Sequence, residues 1–419
     1  MQALWTRDVT ADVYKATIYQ RVVVFSSLHP GGDTSTLAFD VRTGRHLWKR
    51  AGTLLLSGSP LFLAAGTAVE SVDARTGRTI WRSVPLCAES RYVPQKHSGL
   101  HVKFGLPTRP SPRPVPAVPT YAATIGKMLY VGCNGGQISA LRLSNGHLVA
   151  SAHPLRLDNY DQIVPLGHGT LGISGEASGA YMARQSAIVK RDTLATIILF
   201  GPGHRILGTR NGEALVANVC CQGTHSDSWP ADIERVSLSS GKTIFGVSLH
   251  PYPHPLPPDS NLPGPGVTLA VGNTLYVATH SALFAYDLTN LRGRPRMLYG
   301  DLAGLPMVID GRYLSIREGQ PRDVRRGVLL DAYNGMRVVR SARFRATYTQ
   351  QTTLHLLNFS GSGVRSVTVD GSCTHATFSK SYAFVACRSL HIASRAHVGR
   401  PPRAGTKGIP ESIAVYAMP

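Results

Sequence analysis

Apolar and polar residues alternate over short stretches along most of the chain. Tyr19–Ser27 contains Val22-Val23-Val24-Phe25, and Lys127–Gly132, His204–Thr209, Glu213–Val219, Thr274–Thr279, Ala282–Leu288 and Tyr382–Cys387 carry similar runs. Such runs are rich in β-branched and aromatic residues and read as strands. Turn residues separate them: Gly31-Gly32, Asn134-Gly135-Gly136, Asn211-Gly212, Ser240-Gly241 and Asn334-Gly335. Glycine and asparagine supply the left-handed backbone that tight turns require.

One pattern recurs almost unchanged. Thr36–Trp48 ends Asp40-Val41-Arg42-Thr43-Gly44-Arg45-His46-Leu47-Trp48, and Val69–Trp81 ends Asp73-Ala74-Arg75-Thr76-Gly77-Arg78-Thr79-Ile80-Trp81. Asp40 and Asp73, Gly44 and Gly77, and Trp48 and Trp81 each stand 33 residues apart. A period of this size marks a repeat architecture. Each copy reads as a strand, a turn capped by its aspartate, and a second short strand closed by a large aromatic. Weaker copies follow at Ala140–Ala150, Val236–Phe245 and Leu330–Val339, with Ala150 at the place of the tryptophan.

Continuing along the chain gives eight hairpin-containing units. The fourth has strands at Gly169–Ser174, Gly179–Arg184 and Thr196–Leu199. The seventh has Leu305–Ile309, Tyr313–Glu318, Arg326–Ala332 and Arg337–Arg340. The last takes Thr352–Asn358, Val364–Val369, Tyr382–Cys387, Leu390–Ala393 and Ile413–Ala417, whose final strand is expected to pair with N-terminal residues. Residues 1–17 carry one strand and Trp5. Successive antiparallel four-stranded units predict an all-β fold, an eight-bladed β-propeller with seven blades as the alternative. The whole chain, 1–419, reads as one such domain with long inter-blade loops at about 84–119, 220–232, 250–266 and 394–410.

The motif Ala38-x-Asp40-x-x-Thr43-Gly44-x-x-x-Trp48 resembles the tryptophan-docking repeat of the pyrroloquinoline-quinone-type propellers. Val72-Asp73-x-x-Thr76-Gly77-x-x-x-Trp81 is similar, with Ser71 where the small alanine stands. The resemblance implies that Trp48 and Trp81 dock between adjacent blades, supported by Asp40, Asp73, Gly44 and Gly77. It also implies one of two functions. Quinoprotein dehydrogenases bind the quinone with calcium near the axis, whereas non-enzymatic members, such as the propeller of the outer-membrane protein assembly machinery, use the blades as a scaffold. The chain resembles the scaffold members more than the dehydrogenases, and fold alone does not choose.

The chemistry of the side chains sharpens that choice. The adjacent pair Cys220-Cys221 reads as a strained vicinal disulfide, as cysteines bonded elsewhere or free, or as a cofactor-contacting pair like that of larger quinoprotein alcohol dehydrogenases. A calcium site needs converging oxygens; Glu176, Asn211, Glu213, Asp227 and Asp232 are available, but none stands in an identifying motif. No Cys-x-x-Cys-His, no Gly-x-x-x-x-Gly-Lys-Thr and no Gly-x-Ser-x-Gly occurs, and the sixteen histidines are scattered, with His97, His101, His250 and His254 in proline-rich or polar loops and no His-Glu-x-x-His. The reading therefore leans away from an enzyme, with no cofactor and no metal. A quinone- or metal-dependent oxidoreductase is the alternative.

Charge adds a third possibility. Lysine and arginine total 44 against 24 acidic residues, a formal charge of +20. Only nine of the cations are lysine. Such a surface attracts polyanions. Arg322, Arg325 and Arg326 form a dense cluster, and Arg109, Arg113 and Tyr252 lie in the two proline-rich excursions. These are the candidate contacts for a protein partner, for self-assembly or for an acidic polymer or anionic surface. Six cysteines, Cys87, Cys133, Cys220, Cys221, Cys373 and Cys387, allow three disulfides. They point to a secreted, periplasmic or cell-surface location, with the cytoplasm as the alternative. No apolar run is long enough to span a membrane, and residues 1–20 do not read as a signal peptide.

Overall fold

In the computed structural model, residues 3–9, 11–29, 32–56, 60–87, 117–155, 157–177, 184–201, 204–210, 212–218, 231–249, 267–271, 273–278, 282–290, 293, 295–300, 307–309, 313–322, 328–331, 336–339, 349–358, 363–370, 372–379, 381–388 and 411–417 are described. They build eight four-stranded antiparallel sheets in near-sequential order. The first contains Asp12–Tyr19, Val22–Leu28, Thr34–Asp40 and His46–Ala51. The second contains Thr53–Leu56, Leu61–Ala65, Ala68–Val72 and Thr79–Arg82. The third contains Pro119–Ile125, Met128–Cys133, Ile138–Arg142 and Leu148–Ala152. The fourth contains Leu157–Gly167, Thr170–Ala177, Arg184–Lys190 and Thr196–Leu199. The fifth contains His204–Arg210, Glu213–Asn218, Ala231–Ser237 and Thr243–Leu249. The sixth contains Val267–Val271, Thr274–Ala278, Ala282–Asp287 and Arg296–Gly300. The seventh contains Met307–Ile309, Tyr313–Arg322, Thr349–Asn358 and Gly363–Asp370. In the eighth, Ser372–Phe378, Tyr382–Arg388 and Glu411–Ala417 are joined by Ala3–Val9. This succession of four-stranded meanders is propeller-like.

Burial follows position in the sheet. The second strand of the first sheet, Val22–Leu28, is buried on both faces through six consecutive residues. Its fourth strand, His46–Ala51, buries only Trp48. Inner strands are therefore near-continuous apolar runs, whereas outer strands alternate. Each fully buried Val, Leu or Phe side chain contributes about 1.5–3 kcal/mol. Two compact units result. One comprises Met1–Leu61, Val72–Arg78 and Tyr252–Pro419; the other comprises Phe62–Ser71 and Thr79–Pro251. In the first, Phe25 stacks between Phe39 and Phe384, with Val13, Ile413 and Val415 around them. In the second, Tyr130, Ile138, Leu157, Tyr160, Ile173 and Val189 make one cluster, and Ile188, Ile206 and Val216 belong to another.

Several sequence-derived boundaries need correction. The N-terminal region holds two strands instead of one, Ala3–Val9 and Asp12–Tyr19, and the strand expected from Tyr19 begins at Val22, because Tyr19-Gln20-Arg21-Val22 is a turn, with Gln20 at φ 51°. Thr53–Leu56 is a strand that the pattern did not single out. In the fourth sheet the strand expected at 179–184 is described only from Arg184, where Ala187-Ile188-Val189, all fully buried, carry the pairing. Tyr313–Arg322 pairs in continuous register with Thr349–Asn358, so the hairpin of Val328–Asp331 and Met336–Val339 forms its own two-stranded sheet. Consequently Thr349–Asn358 and Gly363–Asp370 complete the seventh sheet, and Ser372–Phe378, absent from the sequence reading, opens the eighth. Leu390–Ala393 lies outside the described residues. The pairing expected for the final strand is present: Trp5 stands opposite Val415 and Arg7 opposite Ile413.

Candidate functional site

The residues that recur in the sequence meet at the turns between third and fourth strands. In the first of these, Asp40 Oδ1 accepts bonds from the amides of Arg42 and Thr43 and from the Thr43 hydroxyl, at 2.8–3.0 Å. Asp73 does the same for Arg75 and Thr76. Burial works against the charge on Asp40, but the Thr43 donors, the Arg42 amide and the Arg42 guanidinium outweigh it and hold the carboxyl below its usual range. The hydroxyl and amide of Thr76 lead the same effect at Asp73.

Backbone bonds then close each turn in one way. Residue i donates to the carbonyl of i+5, and i+4 donates back to i, starting from Asp40, Asp73, Arg142, Lys190 and Ser237. The i+4 residue takes a left-handed conformation: Gly44 at φ 66°, Gly77 at 69°, Gly146 at 70°, Gly241 at 70° and Leu194 at 59°. At Gly44, Gly77 and Gly146 a second constraint applies. A Cβ there would lie 2.7 Å from the Trp5 ring, 2.7 Å from the Trp48 ring and 2.3 Å from the Trp81 ring, respectively. Each indole also donates Nε1–H to the carbonyl three residues before its glycine. Trp5 reaches Val41 at 2.8 Å, Trp48 reaches Ala74 at 2.9 Å and Trp81 reaches Leu143 at 3.0 Å.

Trp5 is the member that sequence reasoning missed. It sits on the fourth strand of the eighth sheet, as Trp48 does on the fourth strand of the first. Its third strand, Glu411–Ala417, lies at the other end of the chain, so no Asp-x-x-Thr-Gly precedes it in sequence. The usable signal was the predicted pairing of the two termini. Arginines two residues beyond the indole join the same turns: Arg7 Nε donates to the Gly44 carbonyl at 3.0 Å, and Arg50 donates to that of Gly77.

The Lys190 turn solves the same packing problem differently. Ala150 occupies the tryptophan position, paired with Ala140 as Trp48 is with Ala38. The carbonyl that would accept the indole N–H, that of Arg191, accepts from the Tyr130 hydroxyl at 3.2 Å instead. Leu194 stands where the other turns have glycine and is fully buried in the cluster against which Ala150 packs. A leucine in the left-handed region costs about 1–2 kcal/mol, offset here by filling volume that an indole occupies elsewhere.

Ser71 takes the position that Ala38 holds in the first repeat. Its hydroxyl is buried and has no hydrogen-bond partner among the described residues. Ser71→Ala is therefore expected to stabilise the protein by about 1 kcal/mol, read as a rise in the denaturant midpoint. A fall would mean that the hydroxyl has a partner, such as bound water. On the next residue inward, Glu70 is buried and pairs with the exposed Arg82 at 3.0 Å.

Other sequence candidates fall elsewhere. Cys87 and Cys133 form a disulfide, Cα–Cα 5.8 Å, across a separation of 46 residues. Cys387 is also disulfide-bonded, and its cross-strand partner position is Cys373. Arg322 lies on a strand opposite Thr349. Cys220, Cys221, Arg109, Arg113, Arg325, Arg326 and Tyr252 are outside the described residues. Of the oxygens suggested for a calcium–quinone site, Glu213 is ion-paired with Arg235 at 2.9 Å. Asn211 and Asp227 lie outside the described residues, as do the side chains of Glu176 and Asp232. Among the described residues no three His, Cys, Asp or Glu side chains gather to hold a metal. Among them, too, no helix is long and apolar enough to cross a membrane.

No family model matches the chain, and no curated protein matches it. Solved structures do. BamB from Moraxella catarrhalis aligns over 99% of this chain and 97% of its own, at 13% identity and a TM-score of 0.49. The computationally designed Ika8 protein aligns over 100% of both chains, at 10% identity and a TM-score of 0.52. At 10% identity the likeness to Ika8 is one of fold alone.

Proposed function

We propose that this chain is a non-enzymatic scaffold, a single eight-bladed propeller whose loops hold a protein partner or further copies of itself outside the cytoplasm. The observation that carries the reading is the eighth sheet, in which the N-terminal strand completes a meander begun at the C-terminus and Trp5 docks on the Gly44 turn. That arrangement joins the N-terminal and C-terminal strands in one sheet, the way a ring of blades is closed, and places the C-terminal strand between two neighbours rather than at a free edge. The motif aromatics Trp5, Trp48 and Trp81 are spent on the frame. Binding then falls to the loops at about 84–119, 220–232, 250–266 and 394–410, which a rigid frame positions. The buried Cys87–Cys133 disulfide supports an oxidising location. The oxidoreductase alternative has no gathered set of ligands behind it among the described residues.

Chemical cross-linking in the native source, followed by light scattering of the purified complex, tests this reading. The expected result is a stoichiometric complex that is lost when residues 88–116 are replaced by a short Gly/Ser linker, with the melting temperature unchanged. A strictly monomeric, partner-free chain would overturn it. So would saturable binding of pyrroloquinoline quinone with calcium, measured by absorbance.

A further inference from the structure

The docks that hold tryptophan also gather arginine. At the first turn Arg42 and Arg45 are exposed, and Arg7 is brought to the Gly44 carbonyl by the Trp5 dock. The neighbouring turn joins them, since the Val41 amide donates to the Arg21 carbonyl at 2.9 Å and the Arg21 side chain is exposed. At the second turn, Arg75 and Arg78 are exposed and Arg50 reaches the Gly77 carbonyl. All seven arginines belong to one compact unit. The two turns contain only Asp40 and Asp73 as carboxylates, each already accepting bonds within its own turn. Among the described residues no direct salt bridge holds Arg42, Arg45, Arg75 or Arg78, although Arg42 lies within the field of Asp40 and Arg78 within that of Asp73. The turn at the other end of the first sheet, His29–Asp33, carries no arginine or lysine. Positive charge is thus concentrated where the repeat places it.

We propose that these two arginine clusters are a binding surface for a linear acidic polysaccharide, its carboxylate or sulfate groups taken by the forked guanidinium donors. This goes beyond the scaffold reading and does not depend on ring closure. Arginine is the cation suited to planar oxyanions because its donors are prearranged. Three observations select the polymer. The disulfide at Cys87–Cys133 belongs to an oxidising compartment, where nucleic acid is a poor candidate. The indole rings at these turns lie against Gly44 and Gly77 and offer no platform for stacking bases. The apolar residues of the turns, Val41 and Ala74, are buried, so nothing there inserts into a bilayer.

The test is binding of heparin to the full, disulfide-intact chain over a range of salt concentrations. The quadruple variant R42Q/R45Q/R75Q/R78Q is compared with K127Q/R142Q/K190Q/K242Q, which removes as many exposed charges from the other unit. The first variant is expected to lose tenfold or more in affinity. Its log–log salt slope should also shrink by roughly 3, as four lost contacts on a counterion-condensed polymer predict. The second variant should lose far less. Equal losses in both would reduce the effect to diffuse net charge and overturn the proposal. It would be overturned equally by undetectable heparin binding, by tighter salt-dependent binding of duplex DNA, or by tighter binding of vesicles containing phosphatidylglycerol.

Discussion

Trp48→Ala and Trp81→Ala are each expected to destabilise the protein by about 3–5 kcal/mol. The rings are 7% and 9% exposed, so nearly the whole side chain leaves a cavity behind. The cavity cannot collapse easily, because its floor is the backbone of a turn: Gly77 under Trp48 and Gly146 under Trp81. Loss of the Nε1–H bonds to Ala74 and Leu143 adds to the cost by leaving those carbonyls without their donor. The corresponding phenylalanine variants separate the two contributions. They keep most of the packing, remove the donor, and should cost about 1 kcal/mol more than volume alone predicts. Denaturant unfolding followed by circular dichroism reads both. If both alanine variants fall below 1 kcal/mol, these rings are surface ornaments and the docking assignment fails.

Removing the Cys87–Cys133 disulfide is the second large effect. The cross-link closes a segment of 46 residues, and the loop-entropy model gives about 4 kcal/mol for that length. Both cysteines are buried, at 6% and 0% exposure, so the bond is shielded from attack by external thiols. It stands beside a second clasp, in which the Val118 amide donates to the Asn134 side chain next to Cys133. The C87A/C133A variant is expected to unfold at markedly lower denaturant than the oxidised protein, while mild reductant acts on the native fold only slowly. A variant as stable as the parent would show that the long excursion does not need the tie. Rapid reduction of the native bond would show that Cys87 and Cys133 are less protected than their burial implies.

Much of the site was legible from local pattern. The turn at Asp40–Arg45 is dictated by residues within five positions of one another, and its tryptophan follows four places after the glycine. The same local rule locates Asp73–Trp81 and the weaker turns at Gly146 and Gly241. The rule failed where a turn did not use its usual residues. Leu194 breaks the glycine requirement, and only the packing of Tyr130 and Ala150 around it explains why the backbone tolerates a leucine there.

By itself, the sequence determined that this is an all-β chain of short antiparallel strands, where its best turns lie, and that its surface is strongly basic. These follow from residue spacing of two along strands and from the stereochemistry of glycine and aspartate, which act over a few residues. Tertiary structure alone decided that Trp5 is the counterpart of Trp48, that Cys87 pairs with Cys133, and that Thr349–Asn358 leaves the last sheet to join Tyr313–Arg322. It also decided that Arg7 and Arg50 come to rest on the Gly44 and Gly77 turns beside their exposed arginines. Each of these joins residues far apart in the chain. Their partnership depends on strand pairing and packing between sheets, for which no local pattern carries a signal.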